Sequence, residues 1–298
     1  MMFDFRLKVF DTVAKRLSFT KAANELNITQ PAVSKHIKEI ELQLNSKLFD
    51  RHGTKIKLTD SGIILLKYTE QLFMVYRELE LEINHLNQKH KGTFRIGAST
   101  TIAQYVLPSF LADFHKKFKD IKVQLVIHNT EIIEELLSEK KIDLGMIEGA
   151  SKNKLFQYKS FIKDEIVLVS RANHPLSNKN TLKIDDLKKI PLLLREPGSG
   201  TLETIAFALK KLDVKLSDLI VEMQLGTTES IKSYLLHSDC MAFVSIHSIL
   251  QELRNKTLTI VDVKNLSIVR DFYFIESQGE QSKVVDLFLK FANRYNFK

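Results

Sequence analysis

Residues 18–59 read SFTKAANELNITQPAVSKHIKEIELQLNSKLFDRHGTKIKLT, and few folds accommodate this stretch. Phe19, Ala22, Ala23 and Leu26 fall on one helical face, and the paired alanines let a neighbouring helix approach closely. Ser18 is suited to cap that helix. Asn27-Ile28-Thr29 breaks the pattern, and Thr29 caps a further helix whose first turn tolerates Pro31. Val33, Ile37, Ile40 and Leu44 form its expected buried stripe. Upstream, Phe3, Leu7, Phe10, Ala14 and Leu17 predict a first helix. Downstream, His52-Gly53 supplies a turn, and the alternation over 54–59 marks a strand with Ile56 and Leu58 inward and Lys55 and Lys57 outward. Three short helices followed by a basic hairpin make a winged helix-turn-helix.

The face opposite the stripe carries Gln30, Ser34, Lys35 and Lys38, with the short Ala32 beside them. Glutamine pairs with adenine, lysine with guanine or phosphate, serine with phosphate, and a short side chain admits a base edge or a thymine methyl. Arg51 and Lys55 of the hairpin are spaced to reach the backbone or the minor groove. The competing interpretation is a small helical domain with solvated lysines. Charge placement argues against it: residues 1–58 carry eleven basic and six acidic side chains, more than half of the chain's formal +8.

From Thr59 or Asp60 a long helix runs to about Gln88, with Leu65, Leu72, Leu79 and Leu86 recurring every seven residues. Tyr68 and Val75 lie in the seam between them, and Glu82 interrupts it. This register predicts a coiled-coil-like dimer contact, against the alternative of a helix packed on its own domain. Dimerisation suits a helix-turn-helix, which generally reads paired half-sites. Lys89-His90-Lys91-Gly92 reads as a hinge.

Beyond residue 93 strands and helices alternate. Strands are expected at 94–98, 123–127 and 142–147, then at 166–170, 192–194, 220–223 and 241–244. Helices are expected at 102–118 (broken or kinked by Pro108), 130–138, 201–211 and 228–236. Such alternation predicts parallel α/β sheets in two lobes. Gly97-Ala98-Ser99-Thr100-Thr101 and Arg195-Glu196-Pro197-Gly198-Ser199-Gly200-Thr201 each follow a strand and open a helix. Either segment alone is an ordinary cap. Two at matching places favour a small anion clamped between lobes by backbone N–H groups and hydroxyls beyond the strand ends.

SFTKAANELNITQPAVSKHIKEIE followed by LFDRHGTKIKLTDSG resembles the N-terminal domain of LysR-type transcriptional regulators, almost without gaps over residues 1–65, and the length and downstream order also fit. The resemblance implies that Gln30, Pro31, Ser34 and Lys35 face the groove, with Arg51 at the wing. It also implies dimerisation through the linker helix, often with dimers pairing into tetramers. It returns the strand at 269–275 and the helix at 282–296 to the first lobe, which makes a two-lobed domain like a periplasmic binding protein, with two crossovers and a hinged cleft. Ser99, Thr100, Thr101, Ser199, Gly200 and Thr201 then occupy effector-contact positions, with Thr228 and Glu148-Gly149 as further candidates. REPGSGT looks like regulators of inorganic-nutrient assimilation, including sulfur and carbon-fixation genes, which often continue with Arg where Leu202 stands here.

The expected organisation is a winged helix-turn-helix over 1–59, a linker helix and hinge over 60–92, and an effector domain over 93–298. Lobe I takes about 93–163 and 267–298, and lobe II about 164–266. No catalytic residue is assigned. GSGT lacks the spacing and lysine of a P-loop and the third glycine of a dinucleotide site, and Ser199 lacks the GxSxG elbow, with Pro197 and Thr201 flanking it. The nine histidines are scattered without paired metal-ligand spacing, so no metal or cofactor is expected. Cys240, the single cysteine, suits a buried thiol in a reducing compartment. No signal-peptide core or apolar run of membrane length appears, so a cytoplasmic location is expected. A two-lobed solute-binding protein explains the cleft but not residues 1–88, and an architectural DNA-binder leaves the second region idle.

Overall fold

In the computed structural model, which describes residues 4–52, 55–86, 92–176, 181–278 and 282–297, Asp4 opens the first helix by accepting from Arg6 N at 2.9 Å. The chain divides into two compact units, Met1–Gln88 and Lys89–Lys298.

Three capped helices build the first unit: α1 (Phe5–Arg16), α2 (Phe19–Leu26) and α3 (Gln30–Gln43). Ser18 Oγ accepts from Lys21 N and Thr29 Oγ1 from Ala32 N, as the capping chemistry requires. Leu17 and Asn27 adopt left-handed backbone and end the first two helices, so Leu17 is exposed instead of continuing the α1 stripe. Val9, Phe10, Ala22, Val33, Ile37 and Leu48 make the core. The expected stripe is corrected at Leu44, which is exposed: α3 ends at Gln43, the chain turns at left-handed Asn45, and Leu48 takes the inward place.

Strands β1 (Phe49–His52) and β2 (Lys55–Leu58) pair antiparallel, with Phe49 opposite Leu58. Ile56 and Leu58 pack on the core. The Gly53 turn expected between the strands lies outside the described residues. Thr59 donates to Lys47 O at 2.6 Å and accepts from Gly62 N at 3.0 Å, which starts α4 (Asp60–Leu86). Gly62 lets α4 press on the hairpin's root, since a Cβ there would lie 2.2 Å from Leu48 O. Leu65 therefore departs from its expected role: with Leu66 it packs against the core of its own domain. Past that docked turn, Tyr68, Leu72, Val75, Leu79 and Ile83 are exposed, and Ile64 extends the same apolar series. The Leu86 side chain and the 89–91 hinge lie outside the described residues.

The second unit is a mixed sheet, ordered β4-β3-β5-β11-β6-β9-β7-β8, with β10 also paired to β6. β3 (Gly92–Ser99), β4 (Ile121–His128) and β5 (Leu144–Glu148) run parallel in lobe I. β7 (Pro191–Arg195), β8 (Ile220–Leu225) and β9 (Met241–Ser245) run parallel in lobe II. Joining them, β6 (Phe156–Arg171) and β11 (Ile268–Ser277) are antiparallel to each other, and short β10 (Leu258–Ile260) is antiparallel to β6. The purely parallel expectation is thus corrected at these crossovers. β6 is also far longer than the 166–170 strand expected, because its first half carries charges that hide it in an apolar scan.

Helix 102–118 is broken as Pro108 suggests: a π-helical turn at Ile102–Val106 leads into α5 (Leu107–Lys117). α6 (Thr130–Ser138) completes the first series. α7 (Ile184–Leu187), α8 (Gly200–Lys210), α9 (Thr228–Leu235) and α10 (Leu250–Arg254) belong to the second, and α11 (Lys283–Ala292) follows β11. Phe94, Phe110, Phe272 and Phe274 share one core with Val285 and Phe288 of α11, so the chain end does return to lobe I. Leu192, Ile205, Leu209 and Met241 anchor the core of lobe II.

Candidate functional site

Helix α3 presents Gln30, Pro31, Lys35 and Lys38 to solvent, with Ala32 and Ser34 half-buried between them. Gln30 Nε2 donates to Ser34 Oγ at 2.9 Å, which holds the amide across the helix start. From Gln30 to Lys38 there is no acid, so the surface is cationic where a duplex would lie. Arg51 and Lys55 hold strand positions opposite Ile56 and His52, and their side chains lie outside the described residues. Helix, wing and cation placement together form the outline of a major-groove reader.

In the second unit the strand ends of lobe I meet the start of α8. Ser99 ends β3, Glu148 ends β5 and Thr201 lies in the first turn of α8. All three are buried, and they touch. Ser99 Oγ donates to one oxygen of the Glu148 carboxylate, and Thr201 Oγ1 donates to the other at 3.3 Å. Gly200 makes the approach possible, since an added Cβ would lie 1.8 Å from Glu148 O.

Arg270 completes the cluster, and the sequence reading missed it. Its Nη1 donates to Thr201 Oγ1 at 2.9 Å and lies 3.6 Å from Glu148, while its Nε donates to Asp164 at 2.7 Å. Ser245 Oγ donates to the other Asp164 oxygen at 2.6 Å. Arg270 is only 5% exposed, and its Nη2 is buried with no hydrogen-bond partner among the described residues. A signal for it was present. Ile268, Phe272 and Phe274 alternate on the buried side of β11, and Arg270 holds the same phase. A cation at an inward strand position needs a partner or a ligand.

The remaining expected contacts are scattered around this cluster. Thr100 and Thr101 are buried beside Ser99, and Thr100 Oγ1 has no hydrogen-bond partner among the described residues. Ser199 and Gly200 also line an open pocket of about 490 Å³ with Glu131, Glu134 and Glu203. That wall is acidic, whereas the Arg270 side offers a buried guanidinium nitrogen with no hydrogen-bond partner among the described residues. Thr228 is buried at the start of α9, where Thr227 forms the cap. Next to it, Glu229 accepts from Tyr105 of the π-helical turn, a second contact between lobes. Burial, together with the Glu229 carboxylate, holds the Tyr105 phenol far above its usual range. On the acidic side, Glu131 N donates to Gly198 O at 3.2 Å, and Ala150 N to Glu203 at 3.1 Å. The lobes are therefore clasped along both edges. Cys240 is buried, and desolvation raises its thiol pKa. Among the described residues no group of three or more His, Cys, Asp or Glu is placed to hold a metal ion.

A family model described as LysR substrate binding domain matches residues 87–296, and one described as bacterial regulatory helix-turn-helix protein, lysR family, matches residues 5–63. The chain belongs to the LysR family of transcriptional regulators. This LysR-family regulator is 32% identical over 287 residues to the "Probable RuBisCO transcriptional regulator" of Cyanidioschyzon merolae, covering 95% of both chains. It is 28% identical over 284 residues to the "HTH-type transcriptional regulator CysL" of Bacillus subtilis, covering 95% and 94%. Among solved structures, the CcmR regulatory domain of Synechocystis in complex with 2-PG matches at TM-score 0.61 and 26% identity, over 67% of this chain and 95% of that one. Full-length CbnR complexed with its target DNA matches in fold at TM-score 0.73 and 16% identity, over 98% and 99%. The LysR-family chain is thus a DNA-binding transcription regulator with an effector domain, and not an enzyme. Among its described residues no helix is long and apolar enough to cross a membrane.

Proposed function

We propose that this regulator reads operator DNA as a homodimer, or as a pair of dimers, and is retuned by a small anion held between its two lobes. Arg270 carries the reading: a buried guanidinium with one nitrogen unpaired among the described residues, bonded to a hydroxyl at the opening of α8. Gln30, Pro31, Ala32, Ser34, Lys35 and Lys38 enter the groove, with Arg51 and Lys55 at the wing. Ser99, Thr100, Thr101, Glu148, Ser199, Gly200, Thr201 and Thr228 surround the effector with Arg270. The exposed Tyr68, Leu72, Val75, Leu79 and Ile83 of α4, continued by Leu86, supply the dimer seam. The regulator acts in the cytoplasm on nutrient-assimilation genes. The names of its CysL and RuBisCO-regulator relatives support that role, and the 2-PG complex of CcmR supports a small-molecule effector.

The mechanism is a shift of population. The anion binds the clasped lobes more tightly than open ones, the lobes repack within the oligomer, and the spacing of the DNA-reading heads changes. The test is genome-wide recovery of DNA fragments bound by the full chain, followed by gel shifts on those fragments with candidate anions. A shared pseudo-palindrome is expected, with an affinity that responds to one anion class and loses that response in Thr201→Val. Fragments with no common sequence, or an affinity no anion alters, would sink the proposal.

A further inference from the structure

The charges around Glu148 set a rule for what can bind beside it. Its side chain is 2% exposed, and it meets Ser99, Thr201 and Arg270 from three separate elements. Asp164, fully buried, holds the other side of the same guanidinium. His247 Nε2 lies 3.9 Å from Asp164, and Glu203 of α8 stands against Gly149, the residue after Glu148. Glu148, Asp164 and Arg270 thus make a buried set of two carboxylates and one guanidinium, formally −1. Yet Arg270 Nη2 and Thr100 Oγ1 stay buried without hydrogen-bond partners among the described residues, so capacity for a ligand remains.

An anion held by Arg270 Nη2 would lie beside the Glu148 carboxylate, which stands 3.6 Å from Nη1 of the same guanidinium. Two ionised acid groups cannot share a buried site cheaply; one of them must carry a hydrogen between the facing oxygens. A phosphate ester releases its second proton near pH 6, so retaining it at pH 7 costs only about a factor of ten in binding. Inorganic phosphate still keeps a hydrogen at that pH. Sulfate has the same shape and no hydrogen to offer near neutrality.

Resting on the cleft reading above, we propose that Glu148 is a specificity-determining residue: it admits anions that bring a hydrogen, phosphate and its monoesters being the class, and rejects sulfate. Calorimetric titration of the full chain with inorganic phosphate and with sodium sulfate tests this. At pH 7 the wild type should prefer phosphate by at least about a hundredfold. Glu148→Gln should erase the preference by tightening sulfate, and Thr201→Val should remove phosphate binding, which locates it in the cleft. Should Glu148→Gln fail to fold, a pH series on the wild type decides. Sulfate binding should then strengthen about tenfold per pH unit lowered, with one proton taken up, against a shallower dependence for phosphate. Equal wild-type affinities, a preference that survives in Glu148→Gln, or a flat sulfate series would overturn the Glu148 rule and leave the cleft reading standing. No binding of either anion would overturn both.

Discussion

Replacing Arg270 with methionine tests whether the cleft is organised around a buried charge. Methionine keeps the apolar stem but removes the guanidinium. The change strands Asp164 and Glu148, whose side chains are 0% and 2% exposed. It deletes the 2.7 Å bond to Asp164 and the 2.9 Å bond to Thr201. Breaking a buried pair by removing one partner costs about 3–5 kcal/mol, because the leftover charge stays desolvated. The chain has no tryptophan, so urea unfolding is best followed by hydrogen exchange on peptides from β6 and β11, which report this domain alone. Asp164→Asn in the Arg270→Met background should recover part of the loss, with a coupling of about 0.5–3 kcal/mol. A loss under about 1 kcal/mol, against the expected buried-pair cost, or strictly additive variants would refute the reasoning.

Lys35→Ala should weaken a cognate operator by about 1–3 kcal/mol if Lys35 reads a base, measured by fluorescence anisotropy on operator and scrambled duplexes; a uniform loss on both would make it a phosphate contact. Leu72→Asp places a charge on the exposed α4 stripe and should lower the sedimenting mass to that of the monomer, and an unchanged mass would count against the seam. Glu134 is half-buried, and desolvation raises its carboxyl pKa despite the Tyr158 hydroxyl. Its contribution is therefore most favourable in acid and is lost as pH rises through the raised value. Glu134→Gln should raise the thermal midpoint at pH 7 and have little effect at pH 4, below the ordinary glutamate value of 4.5. A gain of equal size at both would contradict that sign.

The DNA-reading unit was legible because its signals are local. Ser18 and Thr29 cap the helices they were expected to cap, and Val33, Ile37 and Ile40 take the buried face. Leu44 and Leu65 misled for a similar reason. Periodicity reports which side of a helix is apolar, but not where the helix stops or which body covers that side. The effector domain was legible as alternating elements, and in it Ser99, Glu148 and Thr201 bond directly to one another. The crossover strand β6 was harder to read, since Lys159, Lys163, Asp164 and Glu165 interrupt its apolar pattern. Arg270 was missed because its partners lie 69 and 106 residues away in the chain. Only its inward phase on β11 marked it.

The pairing of β6 with β11 slips by one residue at Phe272/Tyr273, where Phe161 is the extra residue. This irregularity lies on the lobe I side of the crossover, where β11 also pairs with β5 and Phe161 packs on the lobe I core. Bulges bend a strand and sharpen its local twist. Relative rotation of the lobes must be taken up where β6 and β11 cross between them, past this slip and before β6 joins β9 at Ile166. Signalling from cleft to oligomer would then travel as a winding and unwinding of two strands, readable by spin labels placed either side of that crossing.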